Sequence, residues 1–209
     1  MGSVFETYGA DDVRRLIEQY PLAWVSSPDG EEASLLPLVG VYDAGGGLIE
    51  LIGHFARSNP LAAVFATDPR AVILFKGPDD YISPSQAGRR DWGPTWNYVQ
   101  LRVWADITVD PALTPAALDM LIDQVERDRP QPWRAAELGP RYDLLIPHIV
   151  GFRARVTRQK AKFKLGQDER PDTLRNILST LPDGGLPDGG LADWMRRFNP
   201  DRLGDGNDE

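Results

Sequence analysis

Three groups of residues have types and spacings suited to chemistry. The first lies between Gly77 and Tyr98, where Tyr81, Ser83 and Ser85 are followed by Thr95, Trp96 and Asn97. Hydroxyls, an amide and an indole ahead of a strand anchored in a core suit a small planar or phosphorylated ligand. The second is Arg57-Ser58-Asn59-Pro60. Ser58 or Asn59 as cap, with Pro60 at the first helical position, predicts a short helix whose free N–H groups and nearby guanidinium make an anion cradle. Plain capping beside a solvated arginine accounts for the same residues. The third is the run from Arg153 to Lys164, six bases without an acid, which includes Lys160, Lys162 and Lys164. Such a strand either offers ammonium groups to a phosphate or is a solvated edge that its lysines protect from aggregation. Packing readings stand beside the others too: Trp92, Trp96, Tyr98 and Trp104 suit a core or an interface, and a lone His54 suits a structural role.

Composition narrows the classes. With 209 residues, 42% hydrophobic and 26% charged, the chain can bury one core of good size. It has no cysteine, which excludes disulfides, thiolate catalysis, zinc-thiolate sites and iron-sulfur clusters within it. Two histidines, His54 and His148, make a histidine-rich metal site unexpected. A net charge of −8 argues against broad nucleic-acid binding, and no segment reads as a basic recognition helix, so direct DNA binding is not supported. No apolar run reaches the length of a membrane span and the N-terminus lacks a signal pattern, so a cytoplasmic location is expected.

The elements that must position these groups are mostly strands. Asp11 is placed to cap a first helix whose Val13, Leu16, Ile17 and Tyr20 form an apolar stripe that plugs one end of a barrel. Leu22 to Ser26, Ala33 to Tyr42 and Leu48 to Ile52 read as a β-meander, with Pro37 confined to an edge, a bulge or a ligand-facing position. Ala71 to Lys76 suits a strand covered on both faces. From Val99 to Val109 the apolar residues alternate strictly except at Trp104, the period of a half-buried antiparallel strand. Thr114 to Arg127 reads as a helix, capped by Thr114 and striped by Leu118, Leu121, Ile122 and Val125. Ile149 to Val156 is a strand, and the phase slips by one residue near Thr157, predicting a bulge or turn. Asp172 is placed to cap a helix containing Leu174, Ile177, Leu178 and Leu181. The duplicated Leu-Pro-Asp-Gly-Gly from Leu181 to Gly190 reads as a linker, and from Asp183 to Glu209 seven acids face three bases. Residues 1–181 are therefore expected as one mainly β domain with peripheral helices, an α+β arrangement, and 182–209 as an acidic tail that is mobile except where Trp194, Met195 and Phe198 dock.

Several segments in this order resemble one family. They are Leu36-Pro37-Leu38; Gly53-His54-Phe55-Ala56-Arg57-Ser58-Asn59-Pro60; Gly77-Pro78 with Tyr81-Ile82-Ser83-Pro84-Ser85; Pro94-Thr95-Trp96-Asn97-Tyr98; and Lys162-Phe163-Lys164-Leu165 with Gln167. The chain resembles the FMN-binding, PaiB-like proteins described as negative transcriptional regulators, which have a split β-barrel related to pyridoxine-phosphate oxidase. The resemblance implies a homodimer with FMN between protomers. Arg57, Ser58 and Asn59 would lie near the phosphate, Tyr81, Ser83 and Ser85 near the polar edges, and Thr95, Trp96 and Asn97 along the isoalloxazine, while Lys162, Lys164 and Gln167 would close the site. This chain departs from the family pattern at Leu35, where a His is usual, at Gln86, where an aromatic is usual, and at Gly166 and Glu169, where Ser and Arg are usual. The last two remove a hydroxyl and replace a base by an acid, which weakens the implied anion contacts. The favoured reading is a flavin-binding module that acts in regulation. The alternative is an FMN-dependent NAD(P)H oxidoreductase using the same groove, and a further one a haem-binding split barrel with His54 or His148 as axial ligand.

Overall fold

Strict alternation of apolar residues leaves each strand one face to bury, and an antiparallel sheet meets that demand without free edges by closing on itself. The computed structural model describes residues 3–182 and 190–204, which fold as two compact units. The barrel unit comprises Gly9–Lys76 and Leu101–Lys160, and the second unit the described parts of Met1–Tyr8, Gly77–Gln100 and Ala161–Glu209. Strands β1 (Leu22–Ser26), β2 (Ala33–Tyr42), β3 (Leu48–Ala56), β4 (Arg70–Ile82), β5 (Thr95–Asp110) and β6 (Ile149–Lys164) form a closed barrel in the order β1-β2-β3-β6-β5-β4. Helices α1 (Ala10–Gln19), α2 (Leu61–Thr67), α3 (Thr114–Glu126) and α4 (Arg141–Leu145) belong to the barrel unit.

Within that unit, α1 buries Val13, Leu16 and Ile17 and packs on β2 and β3. Its cap is Gly9 rather than Asp11; the carboxylate of Asp12 accepts from the Gly9 N–H at 2.8 Å. The meander holds, with Trp24 opposite Leu35 and Leu22 opposite Pro37 at the end of the β1/β2 ladder, where a missing donor costs little. A bulge falls between Val41 and Tyr42. The third strand is longer than its composition suggests. Gly53, His54, Phe55 and Ala56 continue it because they pair with Phe152, Gly151, Val150 and Ile149 on β6, a ladder invisible to local propensity. Gly151 is required by close approach: a Cβ there would lie 3.0 Å from the Thr114 backbone nitrogen. Its own N–H donates to Thr114 Oγ1 at 3.0 Å, so the hydroxyl expected to cap α3 instead ties that helix to the sheet. Thr114, Ala117 and Ile122 are the buried residues of α3, and the expected stripe residue Val125 is exposed.

The long strands keep their inward sets. On β5, Asn97, Val99, Leu101, Val103, Ala105 and Ile107 are buried, and Trp104 sits on the outward face. The strand opens at Thr95, and β4 runs on through Gly77-Pro78 to Ile82, so much of the stretch expected as a loop is extended sheet. On β6, Phe152 and Ala154 are buried before the phase slip, Ala161 and Phe163 after it, while Thr157 and Arg158 are both exposed. The slip at Thr157 therefore occurs inside one continuous strand rather than at a break.

The second unit is organised around Phe163. Its ring lies 4.8 Å from that of Phe198, 5.6 Å from Trp194 and 5.5 Å from Tyr8, centroid to centroid. Trp194 and Phe198 belong to α6 (Leu191–Phe198), which follows α5 (Pro171–Thr180) and precedes α7 (Pro200–Leu203). Asp172 lies in the first turn of α5, whose cap residue is Arg170. Trp194 is 1% exposed. Asn199 fixes the end of α6, donating from Nδ2 to the Leu165 and Met195 carbonyls at 3.0 and 2.8 Å. Most of the duplicated linker, 183–189, and the end of the expected tail, 205–209, lie outside the described residues.

Two expectations follow. Trp194→Ala removes the largest buried ring of the second unit and should cost about 3–5 kcal/mol in urea unfolding; a loss below about 1 kcal/mol would show that α6 does not hold Phe163. His54 has a buried Nδ1 with no hydrogen-bond partner, and burial pushes its pKa below the ordinary 6.5. The unfolded chain therefore takes up the proton first, so this contribution to stability is complete above about pH 6.5 and is lost as pH falls below it. His54→Asn should flatten the fall in thermal midpoint between about pH 7.5 and 5; identical slopes would remove His54 as its source.

Candidate functional site

In the second unit, β4 and β5 bring together most of the chemistry-bearing residues of the first sequence group. Trp96 and Tyr81 occupy outward positions and are 53% and 44% exposed, far more than large rings normally are. They meet edge to face, with centroids 6.0 Å apart and planes at 62°. Two such rings form a firm apolar wall open on one side, the shape a flat ligand needs. Beside it, the turn after β4 places the hydroxyls of Ser83 and Ser85 2.8 Å apart. Thr95 Oγ1 bonds the ammonium of Lys164, and the Lys162 ammonium stands 5.8 Å from the Tyr98 ring and 5.9 Å from the Phe5 ring. Cations held on aromatic faces are positioned without being neutralised.

Two of the expected contact residues are spent inside the unit. Asn97 falls on the inward face of β5, is buried, and directs Nδ2 to Met195 Sδ at 3.6 Å. Gln167 is also buried: its Oε1 accepts from the Leu165 N–H at 2.8 Å, and its Nε2 donates to the Phe163 carbonyl at 2.6 Å. Both brace the strands that carry Trp96 and Lys164.

The family-pattern departures have local reasons. Gln86 Oε1 accepts from the N–H of Ser83 at 2.9 Å and from its hydroxyl at 3.0 Å, so it holds the turn that presents the two serines. Glu169 accepts from the indole N–H of Trp92 at 3.0 Å. Gly166 has φ +81°, and a Cβ there would come within 3.2 Å of Leu174 and 3.4 Å of Met195, so serine at this position would be strained. These three departures are thus accounted for by packing and turn geometry. Leu35, the fourth, lies on the outer face of the barrel unit opposite Trp24.

The second sequence group lies in the barrel unit, in the turn between β3 and α2. Arg57 donates from Nε to the Pro147 carbonyl at 2.8 Å, and its main-chain N–H bonds the His148 carbonyl at 2.9 Å. Asn59 does cap: its Oδ1 accepts from the Leu61 N–H at 3.0 Å, and its amide exchanges bonds with Ser34 Oγ at 3.0 and 3.2 Å. Ser58 is exposed. The capping reading therefore holds for Asn59, while Arg57 is anchored through Nε with its remaining charge on an exposed turn. Sequence reasoning missed Ser34 as the partner of Asn59, because the 25-residue separation leaves no local signal.

Residues 1–158, most of the chain, match the family model described as "Putative FMN-binding domain". The chain is 28% identical to the protease synthase and sporulation protein PAI 2 of Bacillus subtilis, over 63% of this chain and 64% of that one. It is 26% identical to an uncharacterised protein of Aspergillus fumigatus, over 56% of this chain and 60% of that one. The matches thus span a little under two thirds of these curated relatives. Among solved structures, the FAD and haem binding protein from Mycobacterium smegmatis is similar with a TM-score of 0.57 at 17% identity, covering 90% of this chain and 96% of that one. The flavocytochrome Anf3 from Azotobacter vinelandii gives a TM-score of 0.53 at 15% identity, covering 92% and 91%. At such identities the likeness establishes the fold, a split β-barrel with peripheral helices. With the family model covering both the barrel strands and the Tyr81/Trp96 wall, the chain belongs to the FMN-binding domain family.

Proposed function

We propose that this FMN-binding split barrel works as a homodimeric, PaiB-like module in which the Tyr81/Trp96 wall receives the isoalloxazine. The observation that carries the reading is the pairing of those two exposed rings with cations and hydroxyls in one unit. The donor set fits the group: a flavin needs a flat apolar surface, hydrogen bonds to its pyrimidine edge and cations toward its phosphate. When bound, FMN supplies one- and two-electron redox chemistry. The chain's own part is to bind and orient it. Trp96 and Tyr81 give the wall, Ser83, Ser85 and Thr95 the polar edge, and Lys162 and Lys164 the positive charge, while Asn97 and Gln167 hold those strands in place. Arg57, with Ser58 and Asn59, is proposed as a separate anion cradle within the barrel unit.

The homodimer is supported by the outer face of the barrel unit. Leu22, Trp24 and Ser26 on β1, Ala33, Leu35 and Pro37 on β2, and Val72 and Leu74 on β4 share that face and are uncharged, with Arg70 and Lys76 of β4 at its margins. An outward antiparallel face normally alternates to polar residues. Trp24 at its centre is 51% exposed between Leu35 and Leu74. An apolar patch of this kind suits an isologous contact, in which the same surface meets itself across a two-fold axis. A regulatory role agrees with the likeness to PAI 2, whose name ties it to protease synthesis and sporulation. The net charge of −8 favours an indirect role over operator reading, in the cytoplasm. Among the described residues no helix is long and apolar enough to cross a membrane.

Titration of the apo-protein with FMN, followed by flavin fluorescence, should show saturable binding. Lys164→Ala should weaken it by about tenfold or more, because a charge-assisted contact contributes about 1.5–3 kcal/mol; unchanged affinity removes Lys164 from the site. Addition of NAD(P)H to the loaded protein separates a module from an oxidoreductase, since only the enzyme bleaches the flavin band. Trp24→Asp should convert the dimer to a folded monomer in analytical ultracentrifugation, and a persistent dimer would place the interface elsewhere.

A further inference from the structure

The basic run on β6 is only partly used by the reading above. On the outer face of the barrel unit, Arg153 pairs with Glu50 at 2.9 Å and Arg155 with Asp106 at 2.5 Å. Arg158 has no such carboxylate among the described residues. Its guanidinium carbon instead lies over the Trp104 ring, 3.6 Å from the centroid. Arg102, also without a carboxylate partner among the described residues, places its guanidinium carbon 5.7 Å from the same ring. The hydroxyl of Thr157 donates to the Trp104 carbonyl at 3.0 Å and ties β6 to β5 beside the stack.

A guanidinium held over an aromatic ring is positioned there without a carboxylate to neutralise it, and keeps N–H donors for an anion. Two guanidiniums gathered at one indole repel each other, and in a chain of net charge −8 the neighbouring arginines were each given an acid. An uncompensated, oriented pair of this kind is complementary to a compact dianion. We propose that Arg102, Trp104 and Arg158 form an oxyanion site on the outer face of the barrel unit that binds a phosphate monoester of a small molecule. A monoester places up to two negative charges on one group, matching two cations at one ring. A phosphodiester strand fits less well, because the chain as a whole repels a polyanion.

The test uses protein already loaded with FMN, so that the flavin's own phosphate contacts are filled, with adenosine 5′-monophosphate as probe in a calorimetric titration. Saturable binding is expected, weakened about tenfold by Arg158→Ala and similarly by Arg102→Ala, for the loss of one charge-assisted contact. Arg158→Lys should fall between, since it keeps the charge and loses the planar stack. FMN affinity and thermal midpoint should be unchanged in all three variants, which separates this site from the flavin site. An oligothymidylate serves as the second arm. The proposal is overturned if adenosine 5′-monophosphate fails to bind, if Arg158→Ala binds it as tightly as the unaltered protein, or if only the oligothymidylate binds.

Discussion

Closure of the barrel is the constraint on which the other features of this protein depend. Six strands in the order β1-β2-β3-β6-β5-β4 leave no free edge, so each must give one face to a dry interior and the other to whatever lies outside. The inward set of β5 from Val99 to Ile107 is wholly apolar and fully buried. That commitment fixes the phase of the strand over its full length. It therefore also decides that Trp96, Tyr98, Arg102 and Trp104 face outward, where they can bind, while Asn97 cannot avoid the interior.

The outward positions are where the chain spends its unusual residues. Exposed tryptophans are costly to keep in solvent, and this chain keeps two of them more than half exposed, Trp24 and Trp96, on two different units. Trp96 meets Tyr81 edge to face, on a strand whose Thr95 and Tyr98 hold Lys164 and Lys162. Trp24 stands between Leu35 and Leu74 on an apolar stretch of the outer barrel face. Trp104 is a third case, roofed by arginine rather than left bare. The same residue type thus has three environments, separated by what the neighbouring strands place beside it.

The departures from the family pattern show how a local rule can be broken for a structural gain. Gly166 gives up a hydroxyl because the chain turns there through positive φ against Leu174 and Met195. Glu169 gives up a cation and gains the Trp92 indole N–H, and Gln86 gives up an aromatic surface and gains the Ser83 turn. Each of the three residues is held by this chain's own packing or hydrogen bonds.

Patterns of period two and the short punctuation between them were legible directly. The meander, the long strand to Val109, the phase slip near Thr157 and the helix from Ala10 followed from alternation, stripes and turn residues, which report local geometry. The candidate residues were legible by type: hydroxyls, lysines and exposed-capable aromatics in the right order. What the sequence could not show was pairing between distant segments. The continuation of β3 through Gly53 and His54 depends on β6, roughly a hundred residues away, and the bond between Asn59 and Ser34 joins segments with no shared periodicity. The retreat of Asn97 and Gln167 into backbone support is likewise decided by Met195, Leu165 and Phe163. Local chemistry determines which residues are able to act; only the closed barrel and the packing around Phe163 decide which of them are left facing outward to do so.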